Sequence, residues 1–314
     1  HRDLHSLRRR QRQMCIRDSY VAPVATFEID RGYEGLLIRQ RGFRPLPSFL
    51  SEQIASAFPE DVEYVSEVIF FYPFGRNIEI ARTAKGEPIT IDAVLGLDPK
   101  DFEVIPALKE DFEALFAEGS RPFENRYEPS CILPLQLVKQ LRDAGINVKI
   151  GSTIEILNRK LEVVGILNNT KAYLSNVRDL DGIPIIPFEE REEAGGRVTA
   201  GIVSPMDPSV VIIVPSGIAK RMGGQVYAIR IIPKDPSRSE RIARKMAELF
   251  EYHVYYSRKK DGKYEVVRVA SVTAQQVTGQ EAIIPEILLM FTILSSILGA
   301  VYERTREIGI LSAV

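Results

Sequence analysis

Four charged residues near the end of the chain are spaced to act together. Glu303 and Glu307 stand four residues apart, one turn of an α-helix, with Arg304 and Arg306 between them. On a helix both carboxylates share a face and Arg304 lies beside them. Such a set can pair with charges on a partner surface or brace a bend between two helices. It can also do no more than stop a preceding apolar helix from sliding into lipid. Covalent chemistry has fewer footholds. No G-x-x-x-x-G-K-[ST] loop is present to cradle a phosphate, and no G-x-S-x-G, H-E-x-x-H or paired C-x-x-C occurs. His253 is the only histidine outside the first nineteen residues, and a lone histidine behind an amphipathic helix reads as a strand or cap residue. Cys131, beside Ile132 and Leu133, reads as core, and the run Glu189–Glu193 as a solvated loop. The expectation is a non-catalytic chain with no cofactor and no metal.

The element that must position the four charges is the segment before them. From Ala282 to Val301 the chain is nearly uncharged. About 20 apolar residues rising 1.5 Å each span roughly 30 Å, the hydrocarbon thickness of a bilayer. A buried C-terminal helix of a soluble domain is the alternative, but apolar residues here occupy all faces rather than one stripe. Glu286, one turn from the end, can reach the interface and marks the start of the span. Thr292, Ser295, Ser296, Gly299 and Ala300 fall at i, i+3, i+4, i+7 and i+8 and so share one face. Small residues on one face let another helix approach closely, which is how packing replaces the hydrophobic effect in lipid. Leu288, Phe291, Leu294, Ile297, Leu298 and Val301 cover the remainder. Residues 273–281 read as a stalk that continues the helix out of the membrane.

The segment YERTREIGILSAV resembles the signature of FtsX-like ABC transporter permeases, in which a membrane helix runs into E-R-x-R-E-I-G-I-L-x-A. The matching residues are Glu303, Arg304, Arg306, Glu307, Ile308, Gly309, Ile310, Leu311 and Ala313. Residues 128–167 and 210–250 are similar to segments of the family's extracytoplasmic domain, and 35–42, 62–71 and 94–108 fit its MacB-like periplasmic core more loosely. The resemblance covers about residues 33–314. It implies an α+β fold: a split α/β porter-like domain at 20–127 and 210–272, with an inserted, more β-rich sabre-like domain at 128–209. A stalk and transmembrane helix would follow at 273–302 and a coupling segment at 303–314.

The implied function is that of a permease subunit. It would take no cofactor, dimerise with itself or a second permease, and bind a separate cytoplasmic ABC ATPase through Glu303, Arg304, Arg306, Glu307, Ile308 and Gly309. The main domain would lie outside the cytoplasmic membrane, with room for an extracytoplasmic protein partner. The implied output is export or extraction of a lipoprotein, peptide or drug. The alternatives are a mechanotransmitter that controls a cell-wall hydrolase, and a membrane-tethered binding domain. The family also places one membrane helix before the outer domain and two after the signature, so the expectation is a fragment truncated at both ends.

Residues 1–19 hold six arginines without apolar periodicity and resemble translated adapter sequence, so they are set apart from the fold. The chain has 314 residues, 45% hydrophobic and 26% charged, with a formal net charge of −1. Without the tail the balance is about −5, a mildly acidic body with no basic footprint for nucleic acid. Cys15 lies in the tail, so Cys131 has no internal disulfide partner and the body must be held by its own core.

That body reads as short strands alternating with amphipathic helices. Strands are predicted at Leu36–Arg39, Val62–Phe71, Asn77–Ala81, Ile89–Leu95, Ile183–Ile186 and Val210–Val214, and then at Val226–Ile232, His253–Ser257 and Glu265–Val272. Helices are expected around Leu50, Ile54 and Phe58, over Pro134–Ala144, over Pro215–Arg221 and over Pro236–Tyr252. In the last, Asp235 caps, Ile242, Met246, Leu249 and Phe250 form the buried face, and Glu240 pairs with Arg244. A hairpin joins Thr153–Leu157 to Lys160–Leu167 through Asn158-Arg159. The strand–helix–strand units at 36–71 and 226–257 are expected to pack into one α/β domain.

Overall fold

A computed structural model describes residues 19–40, 43–73, 77–83, 85–168, 174–189, 204–250, 252–260, 262–273, 290–299, 301 and 304. The chain divides into two compact units. One holds Val21–Ser271, and the other holds the two ends, His1–Tyr20 and Val272–Val314.

The larger unit is built on one mixed sheet. Its first half comprises β1 (Ser19–Ile29), β2 (Leu36–Arg39), β3 (Val62–Phe71), β4 (Ile78–Arg82), β5 (Pro88–Ile91), β6 (Ala93–Leu97) and β7 (Ser130–Pro134). The second half adds β8 (Thr153–Ile156), β9 (Arg159–Leu167), β10 (Phe188–Glu189), β11 (Ser204–Pro205), β12 (Val211–Pro215), β13 (Gln225–Pro233), β14 (His253–Lys260) and β15 (Lys263–Thr273). Eleven of these form the order β1-β15-β14-β2-β13-β3-β6-β12-β7-β9-β8, while β4-β5 and β10-β11 are separate ribbons. β12 runs parallel to β6 and β7 parallel to β9; β12 is antiparallel to β7.

The two expected strand–helix–strand units do pack together, and they interleave. β13 lies between β2 and β3, and β2 lies between β13 and β14. Residues 128–209 supply β7, β8 and β9 to the same sheet.

The central strands carry buried apolar residues on both faces of the sheet, so both must be covered. One face carries Leu36, Ile38, Ile69, Ile212, Val214, Ile229 and Ile231. Against it lie α1 (Leu50–Ala57), α5 (Leu135–Asp143), α6 (Ser216–Arg221) and α7 (Ser239–Phe250), through Leu50, Ile54, Leu137, Leu141, Ile218, Ile242 and Met246. The other face carries Leu37, Val68, Phe70, Leu95 and Ile213. It is roofed by the short helices α2 (Asp101–Val104), α3 (Pro106–Lys109) and α4 (Phe112–Leu115), and by a turn that brings in Leu174, Val177, Leu180, Ile185 and Ile186. The fold is α+β, with a three-layer core.

Several elements depart from the sequence-based expectations. The run predicted at Ile89–Leu95 splits at Asp92, so that β5 pairs with β4 and β6 joins the main sheet. The segment Ile183–Ile186 is a turn with a single bridge, Arg178 to Pro184, because its apolar side chains face the core from a loop rather than alternate along a ladder. The hairpin turns at Leu157-Asn158, one residue earlier than expected. Both have positive φ, 50° and 60°, the type I′ geometry that matches strand twist.

At the end of β13, Asp235 accepts from the backbone N–H of Ser237 and caps a 3-10 turn, Pro236–Arg238, which leads into α7. Glu240 and Arg244 pair at 2.9 Å as expected. Leu249, expected in the buried face, is 62% exposed. Ala243 and Ala247 take its place, since the helix lies close enough to the sheet to bury small residues along the stripe of Ile242 and Met246. Cys131 is fully buried in the core, as expected, and burial pushes its thiol pKa well up.

Candidate functional site

The densest chemistry in the larger unit is a set of buried charges. It starts from the pleat of two strands. Side chains alternate between faces with period two, so Leu37 and Arg39 of β2 point the same way. In register, Arg39 stands opposite Ala228, and Arg230 opposite Leu37. On the far side of β13, Arg230 stands opposite Ser66. The row continues outward from Leu37 to Tyr255 of β14 and from Tyr255 to Arg268 of β15. Arg39 and Arg230 therefore project from one face into the core, where they are 4% and 1% exposed.

Two loops bring the counter-charges. Asp101, the first residue of α2, meets Arg230 Nη1 at 2.8 Å. The turn after residue 176 supplies the others: Asp179 accepts from Arg230 Nε at 2.7 Å, and Asp181 lies 2.5 Å from Arg39 Nε. Each carboxylate accepts further hydrogen bonds. The Tyr33 hydroxyl and the Leu180 N–H donate to Asp179 at 2.8 and 2.9 Å. Ser66 and the Asp98 N–H donate to Asp101, both at 2.9 Å, and the Ile183 N–H donates to Asp181 at 3.1 Å. A second branch centres on Asp98, which pairs with Arg126 and accepts from the Tyr64 hydroxyl.

Three buried aspartates thus face two buried guanidinium groups, and their titration follows from that imbalance. Burial opposes ionisation of Asp179, but Arg230 and Arg39 outweigh it and hold its carboxyl below the usual range. Burial dominates at Asp101 and Asp181 and raises both, with Asp98 adding to the first and Asp179 to the second. Burial also raises Tyr33 well above an ordinary phenol. Desolvation would lower Arg230, yet Asp101 and Asp179 more than offset it.

This arrangement pins the roof to the sheet, its carboxylates engaged by guanidinium, hydroxyl and backbone donors. Among the described residues no group of three or more His, Cys, Asp or Glu is placed to hold a metal. His253 is a strand residue opposite Arg39 on β14. The sequence signal for the pin was present but small: an arginine inside each of two apolar strands, LLIR and AIRII. Nothing local marked Asp101, Asp179 and Asp181 as its partners.

The residues singled out in the sequence lie in the other unit. Residues 290–299 form a helix, α8, in which Thr292, Ser295, Ser296 and Gly299 are all exposed. Helical geometry puts these four on one face. A Cβ built at Gly299 meets nothing within 4 Å. The apolar remainder is exposed too: Met290 75%, Phe291 63%, Leu294 54%, Ile297 55% and Leu298 60%. Arg304 is helical and exposed. Ala300, Glu303, Arg306, Glu307, Ile308 and Gly309 lie outside the described residues, as does most of the expected stalk. Among the described residues no helix is long and apolar enough to cross a membrane; α8 covers half of the expected span.

No protein-family model matches the chain, and no curated protein matches it in sequence. Among solved structures, the chain is similar to the extracellular domain of the noncanonic ABC-type transporter YknZ from Gram-positive bacteria. The identity is 11% and the TM-score 0.36, over 72% of this chain and 93% of that one.

Proposed function

We propose that the chain is a permease subunit of an ABC transporter, whose extracytoplasmic body is moved by a separate cytoplasmic ATPase. The observation that carries this reading is the Glu303–Ala313 signature placed directly after the apolar run from Ala282 to Val301. α8 supports it. A helix that exposes Met290, Phe291, Leu294, Ile297 and Leu298 needs lipid or other helices to cover them. On this reading Glu303, Arg304, Arg306, Glu307, Ile308 and Gly309 receive the motion of the ATPase, and Thr292, Ser295, Ser296, Gly299 and Ala300 seat a neighbouring helix of a homodimer or heterodimer. Hydrolysis belongs to the partner, since the chain carries no phosphate-binding loop. The larger unit acts as a mechanical body outside the membrane, its layers pinned by the Arg39–Arg230 network, and the output is export or extraction of a lipoprotein, peptide or drug.

The test is reconstitution with a candidate cytoplasmic ABC ATPase. The chain alone should hydrolyse no ATP, and the complex should. Glu303→Asp and Glu307→Asp should each lower transport-linked ATPase stimulation while membrane insertion survives. Hydrolysis by the chain alone would overturn the reading. Undiminished stimulation in both variants would remove these carboxylates from the mechanism.

A further inference from the structure

A groove of about 850 Å³ opens on the roofed side of the larger unit. Its walls are the end of β1 with the following residues to Arg31, the helices α3 and α4, and the 176–182 turn that carries Asp179. The size lies within the range of small-ligand sites. Its lining is apolar where Ile29, Ile105, Pro106, Ala114, Leu115 and Val177 contribute, and charged at the margins.

The charges at the margins are not equally available. Both lining arginines are committed within the protein: Arg31 is paired with Asp111, and Arg178 donates to the Gly182 carbonyl at 2.6 Å. Asp179 is locked against Arg230 and Tyr33. The carboxylates that remain are freer. Glu113 is exposed and has no ion pair among the described residues. Glu28 and Asp30 have side chains 69% and 90% exposed and share Lys263, itself exposed, at 3.6 and 4.0 Å. Carboxylates thus outnumber cations around an apolar cleft, with Glu28, Asp30, Asp111, Glu113 and Asp179 against Arg31 and Arg178.

We propose that this groove binds a cation carried on an apolar body, such as a short peptide in which lysine or arginine alternates with leucine-like residues. The apolar side chains would cover Ala114, Leu115 and Val177, and the ammonium groups would reach Glu28, Asp30 and Glu113. Because the pinned turn forms one wall, the cleft is held open by the same buried pairs that fix the fold, and no ordering of that wall opposes binding.

Binding here is independent of the permease reading and is measured without an ATPase. The full chain, in nanodiscs of zwitterionic phosphatidylcholine, is titrated calorimetrically with acetyl-Leu-Lys-Leu-Lys-amide and with acetyl-Leu-Glu-Leu-Glu-amide, against empty nanodiscs. The lysine peptide should bind with micromolar-range affinity and the glutamate peptide should not. The triple variant Glu28→Gln, Asp30→Asn, Glu113→Gln should weaken the lysine peptide by about five-fold or more, and added salt should do the same to the parent chain. Ala114→Leu, at an exposed helix position on the wall, should narrow the cleft and weaken binding while the far-ultraviolet circular dichroism is unchanged. Equal binding of the two peptides, or undiminished binding by the triple variant or by Ala114→Leu, would overturn the proposal.

Discussion

Arg230 donates to Asp179 across 2.7 Å, joining the middle of β13 to a turn 51 residues earlier in the chain. The contact links two layers: the arginine belongs to the sheet and the aspartate to its roof. A charge pair removed from water on both sides stabilises little compared with an apolar pair of the same shape. It is, however, very sensitive to the loss of one partner, because the other is left buried and unpaired.

Asp179→Ala should therefore destabilise the larger unit by about 3–5 kcal/mol. Tyr33 would lose its acceptor and Arg230 one of its two carboxylates. Asp179→Asn keeps an acceptor for Tyr33 and should cost less. Urea unfolding followed by far-ultraviolet circular dichroism measures both. A cost under 1 kcal/mol for Asp179→Ala would show that the pin carries little of the stability.

The pH profile follows from the opposed shifts. Asp179, held below its ordinary pKa, contributes stability that is present above about pH 4 and is lost as pH falls through its lowered value. Asp101 and Asp181 are raised, so their contribution is full below about pH 4 and is lost as pH rises through their raised values. Stability should thus increase on acidification from neutrality, pass a maximum near pH 4, and fall below it. Asp181→Asn should flatten the neutral side of that maximum and leave the acid limb in place. The urea midpoint as a function of pH tests this, and an unchanged neutral side in Asp181→Asn would refute the assignment.

The small-residue face of α8 predicts a contrast between two pairs of substitutions. Ser296→Leu and Gly299→Leu should weaken association of the membrane part several-fold, because bulk holds a facing helix away. Nothing within 4 Å of Gly299 would clash inside the chain itself, so the loss would report on a partner helix. Leu294→Ile and Ile297→Leu should matter little. Cross-linking yield in membranes reads out the difference, and equal effects on both faces would mean that the stripe has no packing role.

The elements that sequence reading placed best are those whose pattern is local. β2 and β3 lie within the bounds that apolar content gave them, and the cap at Asp235 follows from a short side chain meeting a free N–H. The absence of a phosphate loop from the sequence and the spacing of Glu303 to Gly309 are also properties of the string alone. Local pattern failed where a side chain's neighbour is distant. The period of α7 put Leu249 in the buried stripe, yet only the sheet's position decides how far around the helix burial reaches. Asp92 looked like part of one continuous strand, but the chain changes sheets there.

The buried charges show the same division most clearly. By itself the sequence determined that Arg39 and Arg230 sit in strands, and by the two-residue period which neighbours share their face. It did not determine that the face is buried, that β13 lies between β2 and β3, or that Asp101 and Asp179 converge on one guanidinium from two separate stretches of the chain. Those facts are set by strand order and by the loops laid over the sheet. Strand order depends on which apolar faces cover one another, a global minimum over pairings that no local window contains. An arginine in an apolar strand is ambiguous until that minimum is reached: at an edge it meets water, and here, in the middle, it must find carboxylates.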